Sequence, residues 1–337
     1  IDVKMLSSSA DSIYWMARYI ERAGNTARLL HVNSLFLIDA RINNLSQNSY
    51  WLSVLEATSL IEEYNHYSGK EDYKNDITTF LALENETASS IKSSIRLARE
   101  NARMVRDQIS DEIWVELNAL HLYLNSNKSK LDFKKSLHDF CVKIIQFSLL
   151  FEGIANATLP HNEAWNFYQM GMFLERADKT SRIIDIPKRL KKSDQPSSWG
   201  AILESCSARS AYRQLYGTAA NERSVTDLLI FSRSFPRSIR FCIDRLDENI
   251  HEISGTPKHM YSSEAERIVG ATKSKLDFER LENVFSTGLG IYIDKLQKDF
   301  NKIGKEIFDA FVLMPNEIQR VGLDESQARR MQNQFSQ

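Results

Sequence analysis

The chain has 337 residues with only 12 glycines and 6 prolines, well under the usual share of these backbone punctuators, so long helices are expected. Hydrophobic residues make up 42% and charged residues 26%, a balance that supports a folded core and excludes a disordered or collagen-like chain. Lysine plus arginine number 43 against 44 acidic residues, a formal net charge of −1, so no global field attracts nucleic acid or an acidic membrane, and neither is an expected partner.

In chain order, apolar periodicity predicts helices near 9–39, 48–65, 86–108, 111–125, 132–152, 163–192, 198–216, 223–233, 236–252, 262–272 and 278–310. No stretch alternates as a strand would. The basic run Lys188-Arg-Leu-Lys-Lys192 reads as a helix C-terminus, where cations suit the dipole. Pro236 precedes an apolar-periodic run and is read as a first-turn proline. Beyond Met314 the chain turns polar, so 315–337 is read as a tail.

Self-similarity organises these elements. Tyr19 to Arg28 (YIERAGNTAR) returns as Phe173 to Arg182 (FLERADKTSR), 154 residues on. Trp51 to Glu56 returns at Trp199 to Glu204, 148 residues on, and Ser94-Ile-Arg96 at Ser238-Ile-Arg240, 144 residues on. Lys128 to Phe133 recurs unchanged at Lys273 to Phe278, 145 residues on. Four collinear matches with drifting offsets indicate an internal duplication. The expected fold is all-α: one helical bundle over 5–314, built from two pseudo-symmetric halves, 5–152 and 161–313.

The repeated Glu-Arg helix is the strongest chemical signal. Advancing about 100° per residue from Glu21 places Arg18, Asn25 and Arg28 on its face. That row borders the apolar stripe of Ile13, Met16, Ile20 and Ala27, while Arg22 turns away from Glu21. Glu175, Lys179 and Arg182 repeat the arrangement. Charges at the edge of a core must pair or bind something, which leaves two readings open. In one, Glu21/Arg28 and Glu175/Arg182 are register-fixing ion pairs, helped by Arg99, Arg103 or Arg240. In the other, the two helices line a polar pocket. Glu21 and Glu175 would then be its acid/base groups, and Arg18, Asn25, Arg28, Arg99, Arg103 and Arg182 would hold a carboxylate or phosphate.

Other chemistries lack equipment. The seven histidines include no pair at helical spacing and no HExxH, so no metal site is expected, and no cofactor either. There is no GxxxxGK[ST], strand-linked GxGxxG or GxSxG. The tryptophans and Tyr14 sit at helical spacing and read as core anchors. Cys141, Cys206 and Cys242 are far apart and match no zinc or redox spacing, which suits a reducing cytoplasm. No run approaches about 18 consecutive apolar residues, and Lys143 and Glu152 bracket the most apolar one, so a spanning helix is not expected. The N-terminus lacks signal-peptide order, and the native chain is read from Met5.

The stretches Met5 to Ala23 (MLSSSADSIYWMARYIERA), Ala98 to Ile109 (ARENARMVRDQI), Phe173 to Ala177 (FLERA) and Phe235 to Cys242 (FPRSIRFC) together resemble the bacterial alpha-E domain family. The likeness runs from Met5 to about Met314. It implies an all-helical fold and a place in an ATP-dependent peptide synthesis or modification system, because members are often encoded beside or fused to a circularly permuted ATP-grasp protein. The partners it implies are an ATP-grasp-type ligase, a transglutaminase-like peptidase, and a peptide or amino-acid-like ligand. The family's Glu-Arg motif maps onto Glu21-Arg22 and Glu175-Arg176. Many members carry a basic residue after the glycine of the second motif, whereas here Gly171 is followed by Met172. The resemblance does not choose between an accessory or substrate-binding protein and an enzyme transferring acyl or aminoacyl groups to a peptide.

Overall fold

The computed structural model describes residues 5–40, 47–69, 77–190 and 195–313. Among them the chain is all-α, with sixteen helices and no strand. The segment read as a polar tail, 315–337, lies outside the described residues.

Two long helices form the centre, α1 (Ser7–Ala40) and α9 (Glu163–Arg189). From Phe167 to Pro187 nearly every side chain of α9 is buried, as expected of a helix enclosed on all sides. Around it pack α1, α2 (Gln47–Ala57), α13 (Ile239–Ser254) and α16 (Leu289–Phe308). On α1 pack α5 (Ile91–Met104), α8 (Leu137–Thr158) and α10 (Gln195–Ser205). The two central helices run in the same direction, since Met5 N–H meets Glu163 near their starts and Glu21 meets Arg176 further along. A glycine lets them approach. A Cβ on Gly171 would lie 2.2 Å from the Tyr14 carbonyl oxygen, so only glycine fits one turn before Glu175.

Several predicted helices are split, each at a residue with a physical reason. The run 48–65 becomes α2 and α3 (Ile61–Ser68), broken at Ser59 with φ 59°. The run 198–216 becomes α10 and α11 (Arg209–Tyr216), broken at Ser207 with φ 52°. Left-handed backbone at a non-glycine residue ends a helix, and these two serines stand one repeat apart. A helix α4 (Ile77–Leu83) was not expected. The run 132–152 is divided between α7 (Asn127–Lys135) and α8 at Ser136, whose hydroxyl caps α8 by accepting from the Asp139 N–H at 3.1 Å.

Pro236 is not in the first turn of a helix. It lies in the turn before α13, and Ser238 is the N-cap, accepting from the Phe241 N–H at 3.1 Å. Ser90 caps α5 in the same way, at 3.0 Å to the Ser93 N–H. The hydroxyls of Ser90 and Ser238 also both donate to the carbonyl six residues back, those of Glu84 and Ser232. The structural counterpart of Ser238 is therefore Ser90 rather than Ser94, one helical turn from the register read in the sequence.

The remaining helices are α6 (Asp111–Asn125), α12 (Glu222–Thr226) with a π-helical turn at Asp227–Phe231, α14 (Glu264–Phe278) and α15 (Leu281–Thr287). A second π-helical turn, Asp309–Leu313, follows α16. The expectation that no helix could span a membrane needs correction for α8, which is long and apolar enough by composition despite lacking an unbroken apolar run. One face of α8, including Phe140, Ile144, Phe147 and Phe151, is buried in the core, while Leu149 and Leu150 are exposed.

Candidate functional site

The two Glu-Arg motifs meet in the middle of the molecule by exchanging partners. Arg176 donates to Glu21 through both Nε and Nη2, each at 3.0 Å. Arg22 donates to Glu175 through Nε at 2.6 Å and Nη2 at 3.0 Å. Each motif's arginine thus forms a two-pronged bond to the other motif's carboxylate, the geometry in which guanidinium and carboxylate match best. The reading of ion pairs within each helix, Glu21/Arg28 and Glu175/Arg182, is corrected. A wheel drawn on one helix turns Arg22 away from its own Glu21, and that same rotation aims it at Glu175 on the parallel neighbour.

Further donors complete both carboxylates. Glu175 accepts from Arg18 Nε at 2.9 Å and faces Lys179 Nζ at 3.7 Å. Glu21 accepts from Asn25 Nδ2 at 3.0 Å and from Arg237 Nη1 at 2.9 Å. Glu175 is 0% exposed and Glu21 4%. Burial by itself raises their pKa values, but the surrounding cations outweigh it and hold both carboxyls below the ordinary range. The main cations are Arg176 and Arg237 at Glu21, and Arg22 and Arg18 at Glu175. A carboxylate so held, with its oxygens already occupied, neither donates nor takes a proton near neutral pH. Burial also pushes the nearby Cys206 and Cys242 thiols up to about 12, which keeps them protonated.

Of the predicted site residues, Glu21, Glu175, Arg18, Asn25 and Arg28 come together here, and Arg182 lies one step out. Arg182 places Nε on both oxygens of Asp178, at 3.0 and 2.9 Å, and Nη1 on Ser59 Oγ at 2.7 Å. Arg99 and Arg103 do not join. Arg99 binds Asn118 at 2.8 Å and Glu100 at 2.9 Å and lies over the Trp114 ring, while Arg103 is exposed and pairs with Glu100 at 2.8 Å. Arg240 pairs with Asp277.

Three groups of the site were not among the candidate site residues: Arg22 and Arg176, named only as part of the family's Glu-Arg motif, and Arg237. The available signal for the first two was the adjacent Glu and Arg repeated on both helices, an arrangement that an exchange in trans satisfies. Arg237 comes from the turn before α13, where helical periodicity says nothing. A histidine contact also crosses helices, His31 Nε2 to His138 Nδ1 at 2.8 Å, a pair that spacing along one helix does not reveal. Among the described residues no three His, Cys, Asp or Glu side chains converge as a metal site would require.

A family described as a predicted alpha-helical domain with a conserved ER motif, Alpha-E, matches residues 5–312. Uncharacterised proteins of Mycobacterium bovis and of two Mycobacterium tuberculosis strains are 24% identical over 318 residues, covering 88% of this chain. The chain spans about a third, 35%, of the length of these relatives. No solved structure matches. With the match running through nearly all the described helices and the Glu-Arg pairs at their centre, the chain belongs to the Alpha-E family.

Proposed function

We propose that the chain is a non-catalytic helical subunit of a cytoplasmic, ATP-dependent peptide synthesis or modification system, where it binds the peptide and docks to an ATP-grasp-type ligase. The observation that carries this reading is the closure of the Glu-Arg site. Glu21 and Glu175 are buried, doubly bonded to arginine in trans and held ionised. They serve to lock α1 to α9 and offer no free acid or base. An ATP-grasp partner supplies the phosphate chemistry for which this sequence has no cradle. The relatives support the arrangement in one respect: in them this unit is part of a longer polypeptide, so it occurs joined to further sequence. The three buried free thiols fit a reducing compartment.

The test is reconstitution. The purified chain, an ATP-grasp-type ligase from the same cells and a peptide mixture are assayed by mass spectrometry for ATP-dependent mass gain. The expected result is modification only when both proteins and ATP are present, unchanged in kind in an Arg99→Gln variant. Modification of a peptide by this chain alone, without ligase or ATP, would overturn the reading in favour of an enzyme transferring acyl groups by itself.

A further inference from the structure

On the outer side of Arg18 the first turns of α1 meet α16 and the π-helical turn after it, enclosing a cavity of about 290 Å³. Its size is near the lower end for small-ligand pockets, enough for one amino-acid residue. The wall is mostly apolar and rich in aromatic rings. Phe167 and Phe311 pack edge to face with centroids 5.6 Å apart, and the Trp15 ring lies under the Arg18 guanidinium at 4.8 Å. Gly304 keeps the floor open, since its missing side chain faces Arg18 Nη1 and the Tyr14 hydroxyl.

The charges in this wall are not equivalent. Arg18 is committed to Glu175, a carboxylate it shares with Arg22 and Lys179. Lys305 stands at the exposed rim. Asp11 is the unmatched group: it is half-buried, it shares the wall with the Trp15 side chain, and no cation lies within ion-pair distance among the described residues. A carboxylate drawn out of water beside aromatic rings, without a cation, is costly unless a ligand supplies the positive charge. An anionic ligand would instead meet Asp11, with the solvated Lys305 and an Arg18 already bonded to Glu175 to offset it.

We propose that this cavity binds an apolar or aromatic primary ammonium, a free amino-acid derivative or the N-terminal residue of a peptide, with the ammonium on Asp11 and the side chain among Trp15, Phe167 and Phe311. This site names what the binding subunit would hold. The role of that ligand as a substrate rests on the function proposed above, but the binding does not, so the experiment uses the purified full chain without ligase or ATP.

Calorimetric titration with phenylalaninamide, N-acetylphenylalaninamide, glycinamide and a Phe-Ala-Ala amide tests it. Phenylalaninamide is expected to bind, with the acetylated probe and glycinamide each weaker by about tenfold or more. Asp11→Asn is expected to lose about tenfold for phenylalaninamide. Gly304→Ala is expected to weaken binding while leaving the melting temperature unchanged or raised, which separates a narrowed cavity from a damaged fold. Equal or tighter binding of the tripeptide amide identifies a peptide end as the ligand, and tighter phenylalaninamide identifies the free derivative. No binding of either amine up to about 10 mM, equal binding of the acetylated probe, or unchanged affinity in Asp11→Asn would overturn the proposal. A ligase that works without this chain would overturn the proposed function and leave the cavity's chemistry untouched.

Discussion

The surroundings of Glu175 and of Glu21 start from two similar ten-residue stretches that share Glu-Arg-Ala, and end differently. Around Glu175 every cation has a carboxylate within ion-pair distance: Arg22, Arg18 and Lys179 share Glu175, and Arg182 pairs with Asp178. Around Glu21 the trans pair is the same, but Gly24 occupies the place of Asp178, and Ser148 of α8 fills the space so tightly that a Cβ on Gly24 would lie 2.4 Å from its Oγ. Arg28, the counterpart of Arg182, is left 3% exposed with a 3.5 Å bond to Asn25 and no partner for its Nε. Burial and then the neighbouring Arg237 lower its pKa. Near Glu175 the added cation is Arg18, whose own counterpart is Met172; near Glu21 it is Arg237 from the turn before α13. The cross-pair is what both sites retain, so it carries the fold, and the groups around it are where they differ.

The sharpest way to break this arrangement is to remove one carboxylate. Glu175→Gln and Glu21→Gln each strand buried guanidinium groups, and each is expected to cost about 3–5 kcal/mol by denaturant unfolding. A cost under about 1 kcal/mol would mean that the trans pairs do not hold the centre together. Next is Gly171→Ala, whose Cβ collides with the backbone of Tyr14 and pushes α9 off α1. Overpacking of this kind is expected to cost about 1–3 kcal/mol, with a matching drop in melting temperature.

Acid sharpens the same comparison. Both carboxyls have folded pKa values below their ordinary 4.5. Each therefore contributes stability that is fully present above 4.5, where the unfolded form is ionised, and is lost as pH falls through the lower folded value. The stability gap between the wild type and Glu21→Gln is expected to be constant from neutral pH to about 5 and to shrink below it. Urea midpoints measured across that range check the sign.

How much of this was legible in the sequence depended on whether the signal lay within one helix. The spans of α6 and α9 were readable to within a few residues because their apolar positions recur with helical period and a polar cap starts each. The repeated motif was readable because five of ten aligned residues are identical at one offset, Glu-Arg-Ala among them. Pairing between helices was not. The wheel correctly placed Asn25 with Glu21, one turn apart, but it assigned Arg28 and Arg182 to carboxylates that bind Arg176 and Arg22 instead. The splits at Ser59 and Ser207 were hidden because serine carries no strong preference for left-handed backbone. The break at Ser136 was the exception, since Ser136 followed by Asp139 is a helix-start pattern that periodicity alone passed over.

The smallest expected effect is the most discriminating, because one substitution at two corresponding positions should change sign. Arg182→Met removes a guanidinium whose Nε–H is shared by both Asp178 oxygens and whose Nη1 reaches Ser59, and is expected to cost about 1–3 kcal/mol, the worth of charged hydrogen bonds at a partly exposed site. Arg28→Met removes a buried cation whose nearest carboxylate, Glu21, already has Arg176 and Arg237. Methionine follows the same unbranched path and brings no charge to desolvate. Its effect is expected to lie within about 1 kcal/mol of the wild type and on the stabilising side, since an unmatched buried charge opposes folding. If Arg28→Met proves as costly as Arg182→Met, Arg28 has an anionic partner in solution, and the excess positive charge beside Glu21 is a filled site instead of a penalty the fold carries.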